Sequence, residues 1–395
     1  MEDFIISGSS FRRCKTQNEE CIIPDGISFI DREAFVNNKN IKKVKMPDTV
    51  INTFDGVFRY CENLERVELS KKLNKIENYM FQNCFKLKEI IGLENIEKIF
   101  AYAFSNCLEL KEFIVSKQLK KIDSRAFYKC INLEKIIVSE ENEFFKSVDG
   151  VLYSNDLTTL LLYPAGKKDE SFVILDSVKE INNYAFQSNR YLKKIIFNDL
   201  VTTIPEYCFT ECSSLEEVIF NDQITKISQF AFKDCRKISF INFPKGLNYL
   251  SQGSFENCIN LQNVILPEKL YVIDFYAFSN CTSLKNVEIT SRLTCLNNGA
   301  FKNCISLEKL TICKSFKEAG ENIFEGINKE FIIEFYGTLK EWQESTKTKS
   351  VCVSHPSIND FRYYGNSVDE YVPTVYEDKV IISDDIKYKL ICKEQ

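Results

Sequence analysis

Phenylalanine recurs along this chain at a fixed step. Phe35, Phe58, Phe81, Phe104 and Phe127 lie 23 residues apart, and so do Phe186, Phe209, Phe232, Phe255, Phe278, Phe301 and Phe324. Other columns keep the same step. Three residues after the Phe stands Cys61, Cys84, Cys107, Cys130, Cys212, Cys235, Cys258, Cys281 or Cys304. Six after it comes an aliphatic residue such as Leu64, Leu110, Leu215 or Ile238, and nine after it Val67, Ile136, Val218 or Val287. Eleven after it come Leu69, Val115, Phe220 and Ile289, and five before it Ile76, Ile122, Ile204 and Ile273. Residues nine and eleven after the Phe share one face of an extended segment, because side chains alternate along a strand. A short strand every 23 residues leaves no room for a full helix between strands. The pattern predicts a leucine-rich-repeat solenoid, with a parallel β-sheet on one face and short strands, turns and irregular segments on the other. A single coil cannot bury its own columns, so neighbours must stack into one continuous core.

One step is 59 residues long, from Phe127 to Phe186. Residues 157–164 repeat the strand pattern, which places Val151 in the Phe column of a longer variant coil near 140–175. The turn signals Asp149-Gly150 and Asn155-Asp156 flank the apolar Val151, Leu152 and Tyr153 and predict a local hairpin. On this reading an N-terminal cap occupies 1–26, about thirteen coils occupy 27–336, and 337–395 hold a C-terminal cap and an unassigned tail. Thr338 and Glu341 have the spacing of a capping box and predict a short helix carrying Trp342. Strand-like segments at 371–376 and 380–383 carry no repeat columns.

The coils resemble the BspA-type leucine-rich repeats. The A-F-x-x-C-x-x-L-x-x-I-x-L-P run of that family is similar to residues 277–289 and 254–267. Its D-G-V-L-Y and L-L-x-Y-P variant is similar to 149–153 and 160–164, and its ending to Tyr336, Gly337 and Thr338 before Glu341 and Trp342. The resemblance runs from about residue 20 to 343. It implies a surface-exposed or secreted binding protein, often an adhesin, with a protein ligand.

Composition narrows the function classes. The net charge of −5 over 395 residues is small, with acidic and basic residues interspersed and no basic stripe for nucleic acid. No apolar run approaches the roughly 20 residues of a membrane span. The first residues lack the basic start and apolar run of a secretory signal. By sequence the chain belongs in the cytoplasm, unless a leader has been removed.

Sixteen cysteines accompany a single histidine, His355. Zinc sites use cysteine pairs two to four residues apart, often with histidine, and the cysteine column has neither. A disulfide needs Cβ atoms about 3.8 Å apart, whereas stacked coils hold them at about 4.8 Å. Buried free thiols, packing as small hydrophobes, fit the column best. Cys208 and Cys212 are four apart, but the first replaces the Ala before Phe209 and the second belongs to the column. His355 has no nucleophile pattern around it and reads as a loop residue. No phosphate loop, G-x-S-x-G or H-E-x-x-H occurs, so neither catalytic nor metal residues nor a cofactor are expected. Tyr79, Tyr102, Tyr184, Tyr207 and Tyr276, two before the Phe, read as packing on the convex side.

One column departs from the ordinary pattern. Ten residues after the Phe, opposite the core, stand Lys45, Glu68, Ile91, Ile114, Ile137, Leu161, Ile196, Ile219, Asn242, Ile265, Glu288 and Thr311. Six consecutive coils are apolar there, with charged or polar residues at both ends. Strand propensity alone favours isoleucine. A contiguous apolar band rimmed by charge is also the mark of an interaction site. Ile114, Ile137, Leu161, Ile196, Ile219 and Ile265 are therefore the candidate partner-binding residues. The expected function is non-enzymatic protein binding or adhesion through the sheet face. The alternative is a structural homodimer closed by the same band, and an enzyme would require a site within the unmatched tail.

Overall fold

A computed structural model describes residues 4–289, 292–327, 329–347 and 388–393. The chain forms a parallel β-solenoid of about fourteen turns. Each coil contributes to two strand rows. The first row carries strands of three to five residues from the segment eight to eleven after the Phe, such as Arg66–Glu68, Lys135–Val138 and Asn286–Ile289. The second carries two-residue strands ending five before it, such as Lys75–Ile76, Lys98–Ile99 and Lys226–Ile227. Pairing is parallel, with Glu112 opposite Lys135 and Lys98 opposite Lys121, so the sequence step is the sheet register.

The Phe column forms the spine. Phe58, Phe81, Phe104, Phe209, Phe232, Phe255 and Phe278 are fully buried, and neighbouring rings stack at 5.1–5.6 Å where Phe58 meets Phe81 and where Phe209, Phe232, Phe255 and Phe278 follow one another. Offset aromatic pairs add about 0.5–1.5 kcal/mol each beyond area burial. The column begins earlier than the repeat count implied: Phe11, in the strand Ser10–Cys14, stacks on Phe35 at 5.2 Å. An antiparallel strand, Phe4–Ser7, covers that first turn.

In most coils two residues are left-handed, two before and two after the Phe. Tyr79, Tyr102, Tyr184 and Tyr207 hold φ of 55–64°, and Asn83, Asn106, Asn257 and Asn280 hold φ of 58–63°. Asparagine tolerates this region, which accounts for its frequency in the second column. The tyrosines gain by stacking: Tyr79 lies 5.4 Å from Tyr102, and Tyr184 4.8 Å from Tyr207.

The 59-residue step resolves differently from the sequence expectation. The Phe column is continued by Tyr163, which stacks on Phe186 at 4.9 Å and donates its N–H to Ala185 O as Phe209 does to Ala231 O. Val151 is not in that column. The extra residues form an antiparallel hairpin, Phe145–Val148 with Val151–Ser154, and the latter strand pairs onward with Thr159–Leu162. Its turn is Asp149-Gly150, with φ of 49° and 79°. Two consecutive positive φ values make a type I′ turn, which matches strand twist and suits Asp-Gly. The hairpin expectation held; the assignment of 157–164 to the first strand row did not.

At the other end Thr338 and Glu341 make the reciprocal capping box. Glu341 Oε2 accepts the Thr338 N–H at 2.7 Å, and Thr338 Oγ1 accepts the Glu341 N–H at 3.1 Å. The helix Leu339–Lys347 follows and buries Trp342 against Phe335 and Phe316. A final strand, Tyr388–Cys392, pairs in parallel with Phe331–Phe335 and extends the first row. His355 and the segments 371–376 and 380–383 lie outside the described residues.

Candidate interaction face

The first-row strands place residues nine and eleven after the Phe inward and the residue between them outward. Val115, Val264 and Leu266 are buried, while Ile114 and Ile265 stand 61% and 60% exposed. Ile137 and Ile219 are exposed, and Ile196 is half-buried.

Leu161 does not belong to this face. It lies in Thr159–Leu162, whose Leu160 pairs with Ile181 of the second row, and its side chain packs on the N-terminal core. The position is filled by Val173, paired opposite Ile196 in the strand Ser171–Val173 and 55% exposed. Ile22, opposite Lys45, also belongs to the column and is exposed. Counting 23 back from Phe186 and from Lys45 would have found both.

Nor is the band continuous. The first row is four separate sheets, broken after Glu89–Ile91, Lys135–Val138 and Glu217–Ile219. At the second break the hairpin satisfies the open edge: Ile136 donates its N–H to Gly150 O at 2.9 Å, and Ser147 Oγ donates to Ile136 O at 2.6 Å. The outward apolar residues therefore form two short strips on either side of the hairpin, Ile114 with Ile137 and the half-buried Ile91 one coil earlier, and Val173 with Ile196 and Ile219. Ile265 stands apart, beside Glu288.

Cross-strand ion pairs flank the strips. Lys135 Nζ lies 2.7 Å from Glu112 and Lys194 Nζ 2.9 Å from Glu217, while Arg66–Glu89 and Lys45–Glu68 close at 2.9 and 3.0 Å. Exposed pairs like these contribute about 0.2–1 kcal/mol each, but opposite charges on adjacent coils neutralise the rim. The strips are apolar ground between balanced charges.

The cysteine column is structural. All nine of its thiols are free and buried, and each Sγ lies 2.9–3.3 Å from the carbonyl oxygen of the Phe in the preceding coil. Burial pushes Cys61, Cys130 and Cys304 up to about 12, so no thiolate is present at neutral pH. Where Asn189 replaces the cysteine, its amide donates to Pro164 O and Lys167 O instead. Cys208 and Cys212 are both buried free thiols. Among the described residues no three His, Cys, Asp or Glu side chains cluster as a metal site, and no helix is long and apolar enough to cross a membrane. A gap between Phe127 and Tyr163, beside Tyr128 and Tyr184, has a volume of about 10 Å³. That is room for about one water, not an organic ligand.

The architecture defines a leucine-rich-repeat solenoid. The profile of the BspA-type leucine-rich repeat region matches six copies over residues 5–134, 165–274 and 250–363, and the chain belongs to that family. The unmatched interval, 135–164, coincides with the hairpin insertion. No curated protein matches the chain. Among solved structures it is similar to a leucine-rich repeat protein from Eubacterium ventriosum, with 24% identity, a TM-score of 0.68, and coverage of 79% of this chain and 91% of that one. The pneumococcal vaccine antigen PcpA matches at 24% identity and TM-score 0.57, over 83% of this chain and 76% of that one. A leucine rich cell surface protein from Faecalibacterium prausnitzii matches at 20% identity and TM-score 0.51, over 87% and 95%. These likenesses establish the shared fold.

Proposed function

We propose that the chain is a non-enzymatic protein-interaction module that presents its first-row sheet face to a protein partner. The observation that carries this reading is the exposure of Ile114 and Val173, 61% and 55%, beside the cross-strand ion pairs Glu112–Lys135 and Lys194–Glu217. Adhesion to a host protein is the finer form of the proposal. It draws on a fold shared with a vaccine antigen and with a cell surface protein.

A stable interface buries about 800 Å² per partner, more than two or three aliphatic side chains supply. The partner must therefore also engage the ion-pair rows beside the strips. That requirement favours a separate protein with its own complementary charges over a homodimer closed by the apolar residues alone. Covering an aliphatic side chain fully is worth about 1.5–3 kcal/mol, so covering the exposed part of Ile114 or Val173 gains about 1–2 kcal/mol. The double variant Ile114→Lys/Val173→Lys places one charge in each strip and should weaken binding roughly 30-fold or more. Sedimentation velocity tests self-association, and affinity capture followed by titration of the captured partner tests binding. Dimers that split in the variant would establish the homodimer. A variant that unfolds, or one that binds its partner as tightly as the parent, refutes the assignment of this face.

A further inference from the structure

The insertion divides more than the outward face. Ring stacking runs unbroken from Phe11 to Phe127, and resumes from Tyr163 to Phe324. Among the described residues no ring contact joins Phe127 to Tyr163, and no backbone pairing joins Lys135–Val138 to Ser171–Val173. The buried side chains fall into two clusters, spanning residues 11–152 and 151–342. They meet in the hairpin strand Val151–Ser154, which is buried on both faces: Val151 and Tyr153 belong to the second cluster and Leu152 to the first. Alternation along a strand produces this division of neighbours.

Elsewhere across the joint Leu160 belongs to the second cluster while Leu161 and Leu162 pack on the first, Tyr128 meets Tyr184 edge-on at 6.5 Å, and the remaining links are polar. Lys168 Nζ lies 2.8 Å from Glu134, Lys129 Nζ lies 2.8 Å from Glu211, and Gly166 donates its N–H to Leu133 O at 2.8 Å. The stability of a repeat array is the sum of its coil terms and its nearest-neighbour terms. Within each cluster, stacked rings and paired strands supply the neighbour term. At residues 134–170 it lacks the Phe-column stacking and the first-row pairing and keeps one edge-on ring contact, Tyr128 with Tyr184, so the neighbour term is smallest there.

We infer that the solenoid is two cooperative blocks sharing the inserted hairpin and the strand after it, and that the joint between them opens before either block unfolds. Hydrogen exchange on the full chain, followed by mass spectrometry in rising urea, tests this directly. Leu152→Ala should speed exchange at least roughly tenfold in residues 11–138 and leave 186–335 unchanged. Val151→Ala, one residue away, should do the reverse. Residues 145–166 should lose protection at lower urea than either block. Should Leu152→Ala fail to fold, Leu87→Ala and Leu261→Ala, deep in the first and second blocks, carry the same test. One common transition, moved equally along the whole chain by every substitution, would overturn the inference.

Discussion

Two glycines in one column separate backbone strain from packing. Gly56 and Gly253 both stand two residues before the Phe, with φ of 64° and 57°. A Cβ built on Gly56 meets nothing closer than 3.4 Å, whereas one on Gly253 would fall 2.3 Å from Cε1 of Phe230, the aromatic at the same place in the preceding coil. Gly56→Ala should therefore show only the left-handed cost of an L-residue, about 1–2 kcal/mol, partly offset by the about 0.4–1 kcal/mol gained from a stiffer unfolded chain. The net loss should be below about 1.5 kcal/mol. Gly253→Ala carries the same terms and must also push the Phe230 ring out of its stack, which is overpacking at about 1–3 kcal/mol. It should lose about 1–4.5 kcal/mol, more than Gly56→Ala by the overpacking of about 1–3 kcal/mol. Tyr79, Tyr102 and Tyr207 already occupy this conformation, so the column tolerates a side chain where the ring before it leaves room. Urea unfolding, read in the transition to which each coil belongs, gives both losses. Equal losses at the two positions would refute the account, because only the contact with Phe230 distinguishes them.

Leu215 is fully buried between Leu192 and Ile238 of the adjoining coils, and Leu215→Ala should cost about 2–5 kcal/mol in a urea or thermal melt. A melt unchanged by that substitution would place the column outside the core. The nine column thiols should be silent to a chromogenic thiol reagent in native buffer at pH 8 and appear in urea without reductant. A yield of only a few thiols in urea would mean that the column is oxidised. Because burial raises Cys61, Cys130 and Cys304 to about 12, their contribution is intact below the free-thiol value of about 8.5 and is lost as pH rises from there toward 12. Stability should fall along that alkaline interval.

The fold was legible because its period is also its register. Residues 23 apart in sequence become strand partners, so the columns of Phe, Cys and Leu are the stacked layers themselves. Strand alternation then assigned inside and outside for Ile114, Ile137, Ile219 and Ile265 without coordinates. The capping box was legible for a similar reason, since Thr338 and Glu341 satisfy each other within one turn. The second row was legible only as short strands on the other face, because its two-residue strands, such as Lys75–Ile76, are too short to fix their bounds by an alternation of their own.

Leu161 marks where pattern reading fails. The run Leu160-Leu161-Leu162 has strand chemistry, and any apolar triplet fits a register if its distance from the next landmark is left free. Tyr163 was the landmark: 23 before Phe186, and aromatic like the rest of its column. Anchoring there puts Val173 on the outer face and turns residues 145–162 into an insertion buried against both flanking cores. Leu160 packs on one core and Leu161 and Leu162 on the other, so the run is apolar on both faces and an alternating repeat register can be fitted to it. The contiguity of the apolar band depended on that misplaced strand. What the coils support instead is two strips separated by a hairpin. A partner that spans both must meet the hairpin and the joint beneath it, so binding across the face would load the interface with the smallest neighbour term.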